Sequence, residues 1–382
     1  MQTWFGWIVI SLLLLANVGG SRADDIEFGG MDWDISTEDF KIEKDGDTEI
    51  LYFQNGNLWL KNSDFANGEI RFSMWLGAGR GFSGVMFHGE DNNNYDEFYI
   101  RHHLSGGDDA VQYTPVFNGL SGWQLYAGDG FWGNALFERG RWIDVQLLLN
   151  GRRAVFLMDG RPIIRVPYLK FAKESGRIGF KSRVSSVKIK DIRLVEKNID
   201  LIPYFYRPKL NANIDALLPS EQSGSAAPRQ QKPEGLISKW QVSEVMASNA
   251  LKGQANLDNT DLANMNWQEL FVEEQGAINI ARLTGRTRGN NLVLAKANVS
   301  ADQAEIKTLN FGYSDRVRVY VNGELAYSGN NSWRSRDHRY LGTIGLFDSI
   351  PLHLKAGKNE IIMAVSEGFG GWGVMAQVVP LQ

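Results

Sequence analysis

The chain contains no cysteine. Disulfides, thiolate metal sites and cysteine nucleophiles are therefore excluded, and the fold must be held by core burial alone. It also has no excess of positive charge: 40 Lys and Arg face 44 Asp and Glu, a net charge of -4. Phosphate neutralisation has no evident source, so no nucleic-acid partner is expected. No Walker loop, dinucleotide glycine fingerprint, His-Glu-x-x-His helix or Gly-x-Ser-x-Gly elbow occurs. The apolar run at residues 7–16 is too short to span a bilayer comfortably. With Ser21-Arg22-Ala23 behind it, it reads as a signal peptide cleaved after Ala23. A periplasmic or secreted protein is the expectation, with no membrane attachment once the leader is removed.

Glycine (41 residues) and tryptophan (12) are plentiful. That combination suits a turn-rich β protein with aromatic surfaces better than a helical bundle. Five of the ten prolines fall between Pro203 and Pro233, and PSEQSGSAAPRQQKPEG (219–235) has almost no large apolar side chains. Such a stretch buries too little to offset its ordering entropy and reads as a mobile linker. The expected organisation is a signal peptide at 1–23, a first domain at 24–200, a linker at 201–235 and a second domain at 236–382.

Both domains read as strands. In EIRFSMWLG (69–77), Ile70, Phe72, Met74 and Leu76 alternate with Arg71, Ser73 and Trp75. In RWIDVQLLLNGRRAVFLMDGRPIIRV (141–166), Asn150-Gly151 and Asp159-Gly160 supply the positive-φ residues of tight hairpins, predicting a three-stranded meander. GRIGFKSRVSSVKIKDIRLV (176–195) predicts two closing strands, and EKDGDTE a polar hairpin turn. In the second domain DRVRVYVNGELAYSG (315–329) and IPLHLKAGKNEIIMAVSEG (350–368) repeat the logic after a short helix expected at 264–271. The predicted fold class is all-β: two antiparallel β-sandwich, jelly-roll domains joined by a Pro/Ser-rich linker.

The order FSGVMFHGEDNNNYDEFYIRHH, then the NG and DG meander, then GRIGF…VKIKDIRL resembles the concanavalin-A-like lectin/glucanase superfamily. Within it, the laminin-G-like and 3-keto-disaccharide hydrolase domains are the most similar, over about residues 30–196. The pattern VYVNGELAYSG…LHLKAGKNEIIMAV…GWGVMAQ, at about 285–379, resembles galactose-binding-like jelly rolls. These resemblances imply a carbohydrate partner. Active glucanases of the first fold carry Glu-x-Asp-x-x-Glu, which is absent here. The loop histidine often found in the 3-keto-disaccharide hydrolases is also missing from GFKSRVSSVKI.

The candidate site centres on residues 84–103. Alternation puts Val85, Phe87, Asp96, Phe98, Ile100 and His102 inward and His88, Glu97, Tyr99, Arg101 and His103 outward. That outward row is a wet sheet face, a ligand-binding face or, as a third reading, an acid/base centre. It holds one carboxylate rather than the pair that glycoside hydrolysis usually needs, so binding is favoured over hydrolysis. Glu90 and Asp91, with Asn92 to Asn94, form an oxygen-rich loop suited to Ca²⁺. Trp123, Tyr126 and Trp132, in the glycine-rich stretch 112–134, and Trp333, Arg336 and Trp372 in the second domain are further candidate sugar contacts. The expected function is an exported carbohydrate-binding protein. The alternatives are a glycoside hydrolase acting through the first domain and a protein-binding adhesion module.

Overall fold

The computed structural model describes residues 24–205, 233–257, 262–336 and 343–381. The expected leader at 1–23 and most of the expected linker lie outside the described residues. Almost all regular structure is antiparallel strand, as the alternation predicts.

The first half is one fourteen-stranded sheet whose apolar side chains close on a shared core containing Ile70, Phe72, Met74, Val145, Phe156 and Phe180. The meander appears as Trp142–Asn150, Arg153–Met158 and Arg161–Val166. Its turns use Gly151 at φ 54°, Asp159 at φ 47° and Gly160 at φ 74°. Where two closing strands were expected, there is one strand, Arg177–Glu196. It pairs with Thr48–Leu60, Gly68–Leu76 and Phe82–Gly89, with one register shift in each of the three ladders. Val184 (φ 72°) and Asp191 (φ 55°) stand in the shifted segments, where bulges bend a strand without ending it.

The second half stacks a seven-stranded sheet on a four-stranded one. Val293, Val319 and Val365 from the first meet Leu309, Phe311 and Val374 from the second in one core. Residues expected to be helical at 264–271 instead form a strand, Trp267–Phe271, along Lys239–Ser243. Tertiary pairing overrides the weak local preference there.

The halves meet through the segment that follows the strand Val111–Phe117. Leu125 and Tyr126 pack with Ala277 and Met375, and Phe117 packs with Phe171 and Ala281. The Tyr126 hydroxyl donates to Glu273 at 2.9 Å and accepts from Asn279 Nδ2 at 3.1 Å. Arg282 Nε donates to Glu273 at 2.7 Å while its Nη2 reaches the Lys170 carbonyl at 2.9 Å. Farther along, Gln124 N donates to the Gly370 carbonyl at 2.9 Å and Ile344 N to the Gln124 carbonyl at 3.1 Å.

Two glycines set this spacing. Gly370 (φ 113°) and Gly371 (φ 133°) have positive φ, a region that favours glycine. A Cβ on them would stand 2.2 Å from Gln124 Oε1 and 2.5 Å from Leu125 Cδ1. The glycines of EGFGGWGV therefore serve the junction. Removing the buried phenol hydroxyl tests the seam: Tyr126→Phe should cost about 1.5 to 3 kcal/mol, the range for a buried bond to a charged acceptor. Urea unfolding of the full chain checks this, and an unchanged midpoint would show that the phenol's bonds across the seam contribute nothing to stability.

Candidate functional site

The strands Phe82–Gly89, Tyr95–Arg101 and Val111–Phe117 are buried on both faces apart from Phe82, at the rim. One face joins the core. The other carries three cross-strand rows: Arg101, Phe82 and Arg183; Gln112, Tyr99, Gly84, Lys181 and Asn57; and Thr114, Glu97, Met86, Gly179 and Trp59. Gly84 stands at the centre. A Cβ there would come within 1.9 Å of the Phe98 carbonyl, and its lack of a side chain leaves room for Lys181 and Tyr99 to approach.

Over this gap the Lys181 ammonium forms an ion pair with Glu97 Oε2, and Ser121 Oγ donates to Glu97 Oε1 at 3.1 Å. The ammonium also stands 5.5 Å from the Tyr99 ring centroid. Burial depresses the Lys181 pKa, and the Glu97 charge opposes that shift. Tyr99 donates to Gln112 Oε1 at 2.8 Å, Arg101 Nη2 donates to the same oxygen, and it reaches the Tyr99 hydroxyl at 3.1 Å. Burial raises the Tyr99 pKa above the ordinary phenol range, so this hydroxyl stays a donor at neutral pH.

The sequence left open whether this row is wet. Glu97 is 0% exposed and Lys181 8%, because the chain covers its own sheet. Gln112 Nε2 donates to the carbonyls of Trp123 and Tyr126 at 2.9 and 2.6 Å, seating the 118–134 excursion on the row.

The predicted residues separate into groups. Glu97, Tyr99 and Arg101 share the covered row. His88 leaves it: its backbone has φ 51°, and the register shifts opposite it. This bulge turns the ring to the other face, where Nδ1 lies 3.3 Å from Asp96 Oδ2 and the Tyr113 hydroxyl donates to Asp96 Oδ1 at 2.7 Å. Strict alternation had placed His88 with Glu97, and the extra residue of the bulge corrects that. Asp96 and His102 face inward as expected, and burial lowers the His102 pKa to about 4. His103 lies at the open end against Phe82, with ring centroids 5.5 Å apart. Burial and the Arg80 and Arg101 charges keep its pKa below the usual histidine range.

Tyr126 belongs to the seam. Trp132 pairs in register with Gln112 at the sheet edge. Trp372 is fully buried in the second core, with Nε1 donating to the Val365 carbonyl at 3.2 Å. Arg336 pairs with Asp348 and donates to the Tyr313 hydroxyl at 3.0 Å. In the Glu90–Asn94 turn, Asp91 Oδ1 accepts from Asn93 N at 2.7 Å, and both its oxygens accept from Asn94 Nδ2 at 3.1 Å. Asn94 Oδ1 accepts from Asn118 N at 3.0 Å. Those oxygens are already engaged, and no group of three or more acidic or histidine side chains converges among the described residues.

Trp123 and Trp333 come together at the open end with Arg80, Phe82 and Phe369. Arg80 lies over both Phe82 and Trp333, at 5.2 and 5.3 Å from their centroids. Trp333 meets Phe369 at 6.2 Å, Phe369 meets Trp123 at 5.7 Å, and Phe82 meets Tyr99 at 6.1 Å. With the Gln112 bonds to Tyr99 and Trp123, these contacts form a closed circuit that draws on both halves. Phe369 is 56% exposed. Lys181 was legible in GFKSR, where Phe180 points inward and its neighbour must point out. The meeting of Arg80 with Trp333, 253 residues later, carried no local signal.

Residues 28–195 match the model of the 3-keto-alpha-glucoside-1,2-lyase-like domain family. No curated protein matches the chain. Among solved structures, the carbohydrate-binding module CBM66 from Bacillus subtilis is 14% identical. The match covers 41% of this chain and 92% of that one, with a TM-score of 0.32. The Bacillus licheniformis beta-glucanase is 12% identical, covering 47% of this chain and 100% of that one, with a TM-score of 0.33. A glycosidic hydrolase of unstated source is 17% identical, covering 42% and 87%, with a TM-score of 0.30.

Glu97→Gln alone strands the buried Lys181 charge and should destabilise the protein by about 3 to 5 kcal/mol. The double variant Glu97→Gln with Lys181→Met should recover much of that loss in denaturant melts. A double variant no more stable than the single one would contradict a directly coupled pair.

Proposed function

We propose that this chain is an exported saccharide-binding protein whose ligand lies on the aromatic circuit at the open end of the covered row. The carrying observation is the circuit itself. Trp123, Trp333, Phe369 and Phe82 offer flat apolar faces, and Arg80, Arg101 and His103 offer fixed polar groups beside them. A pyranose has matching surfaces, with apolar C–H faces and a hydroxyl-bearing edge. A galactose-binding-like second half fits this reading, since it would supply Trp333 and Phe369 to a shared site.

A second reading is supported by the lyase-like family match and by the single carboxylate of the strand row. Elimination from a 3-keto-glucoside takes the C2 proton beside the carbonyl and breaks the C1–O bond. The leaving oxygen takes up a proton, and an unsaturated keto sugar and an alcohol result. One base suffices for this, whereas hydrolysis usually needs two carboxylates. Glu97 would be that base only with the 118–134 cover lifted from it, since the carboxylate is fully buried, and the Lys181 and Arg101 cations would then hold the developing enolate charge.

Affinity electrophoresis and calorimetry against a glycan panel test the first reading. Trp123→Ala and Trp333→Ala should each weaken binding by about tenfold or more, the scale of an aromatic anchor. No retardation by any glycan would sink it. For the second reading, Glu97→Gln should lose turnover of 3-keto-glucosides and keep binding. An inert wild type would remove the lyase and leave the binding protein.

A further inference from the structure

Behind Phe369 lies a second set of ionisable groups that the rim does not use. Asp315 Oδ2 accepts from the backbone N–H groups of Gly368 and Phe369 at 2.7 and 3.0 Å. Glu367 Oε1 accepts from Gly371 N at 3.3 Å. The two carboxylates thus hold both ends of the 367–371 loop that carries Phe369, and Gly370 in that loop accepts from Gln124 N. Ser314 Oγ lies between them, 3.2 Å from Asp315 Oδ1, 3.5 Å from Glu367 Oε2 and 2.9 Å from Gln124 Oε1. Its one proton can serve only one of these three oxygens.

From this geometry we infer that a proton shared in the Asp315–Ser314–Glu367 cluster holds the 367–371 loop against Gln124, setting Phe369 between Trp123 and Trp333, and that its loss releases the loop. This rests on the saccharide reading only for the consequence that ligand affinity follows the same protonation. Asp315 and Glu367 are 3% and 1% exposed, so two adjacent negative charges would be poorly solvated. Burial and then the Asp315 charge raise the Glu367 pKa from 4.5 to about 8. Arg286 opposes that shift, as do the Gly371 N–H and the Ser314 hydroxyl, and Arg316 likewise opposes the upward push of burial on Asp315. Asn291 meets Glu367 through backbone contacts: its carbonyl accepts from Glu367 N, and its Nδ2 donates to the Glu367 carbonyl.

Between pH 4.5 and about 8 the folded chain holds a proton that the unfolded chain has released. Stability from this group is full below the lower value and is lost as pH rises through the upper one.

The experiment is ¹⁹F NMR of the full chain labelled with 5-fluorotryptophan, titrated from pH 6 to 9.5, with resonances assigned by Trp123→Phe and Trp333→Phe. The Trp123 and Trp333 signals should shift together with a midpoint near 8, and the shift should vanish in Glu367→Gln. Arg286→Gln, on the surface, should leave the fold intact and raise the midpoint. Static signals in the wild type, an unchanged titration in a folded Glu367→Gln, or an unmoved Arg286→Gln midpoint would each overturn the inference. Glycan affinity is measured in parallel. A rim that titrates but binds no glycan overturns the saccharide reading alone, and a glycan bound equally at pH 6 and 9 overturns the link between proton and ligand.

Discussion

The Gln112 side chain is the joint on which the rest of the site depends. Its carbonyl oxygen accepts hydrogen bonds from Tyr99 and Arg101, and its amide nitrogen donates to the Trp123 and Tyr126 carbonyls. A buried row holding an ion pair, a phenol and a guanidinium is tolerable only if each polar group finds a partner. The 118–134 excursion provides the cover, and its own backbone carbonyls are satisfied by doing so. Once fixed there, the same excursion turns Leu125 and Tyr126 toward the second half and brings Trp123 to the rim.

Packing, electrostatics and surface chemistry are linked in that sequence. The register places Glu97 two rows from Arg101, Gly84 makes room for Lys181, and Gln112 connects the row to the loop. The loop fixes the junction, and the junction fixes which aromatics stand beside one another. The first half therefore presents a different opening from the one a bare sandwich would have, because its polar face is roofed by its own chain and partly by its neighbour.

Local regularities were readable in the sequence. Alternation identified the strands, the NG and DG turns marked the meander, and the same alternation put Glu97, Tyr99 and Arg101 on one face. It failed at His88, where a bulge adds a residue that no periodicity announces. It also failed to show that the face is covered, since burial of a polar row depends on where a distant loop lands. Trp372 and Tyr126 looked like sugar contacts because an aromatic in glycine-rich sequence reads as exposed. The glycines around them instead mark close approach between backbones. Phe369, Arg80 and the Asp315–Glu367 pair stayed unseen because their meaning arises from contacts between segments far apart in the chain.

The close approach at Gly370 and Gly371 bears on any attempt to divide the protein. Cut near residue 233, the first half would expose Leu125 and the Tyr126 ring, and the second would expose Ala277 and Met375 beside a Glu273–Arg282 pair without its phenol. Surfaces of that kind are sticky in water, so each piece alone would tend toward self-association. The compositional boundary in the chain thus lies between two separate cores that are joined by shared apolar contacts.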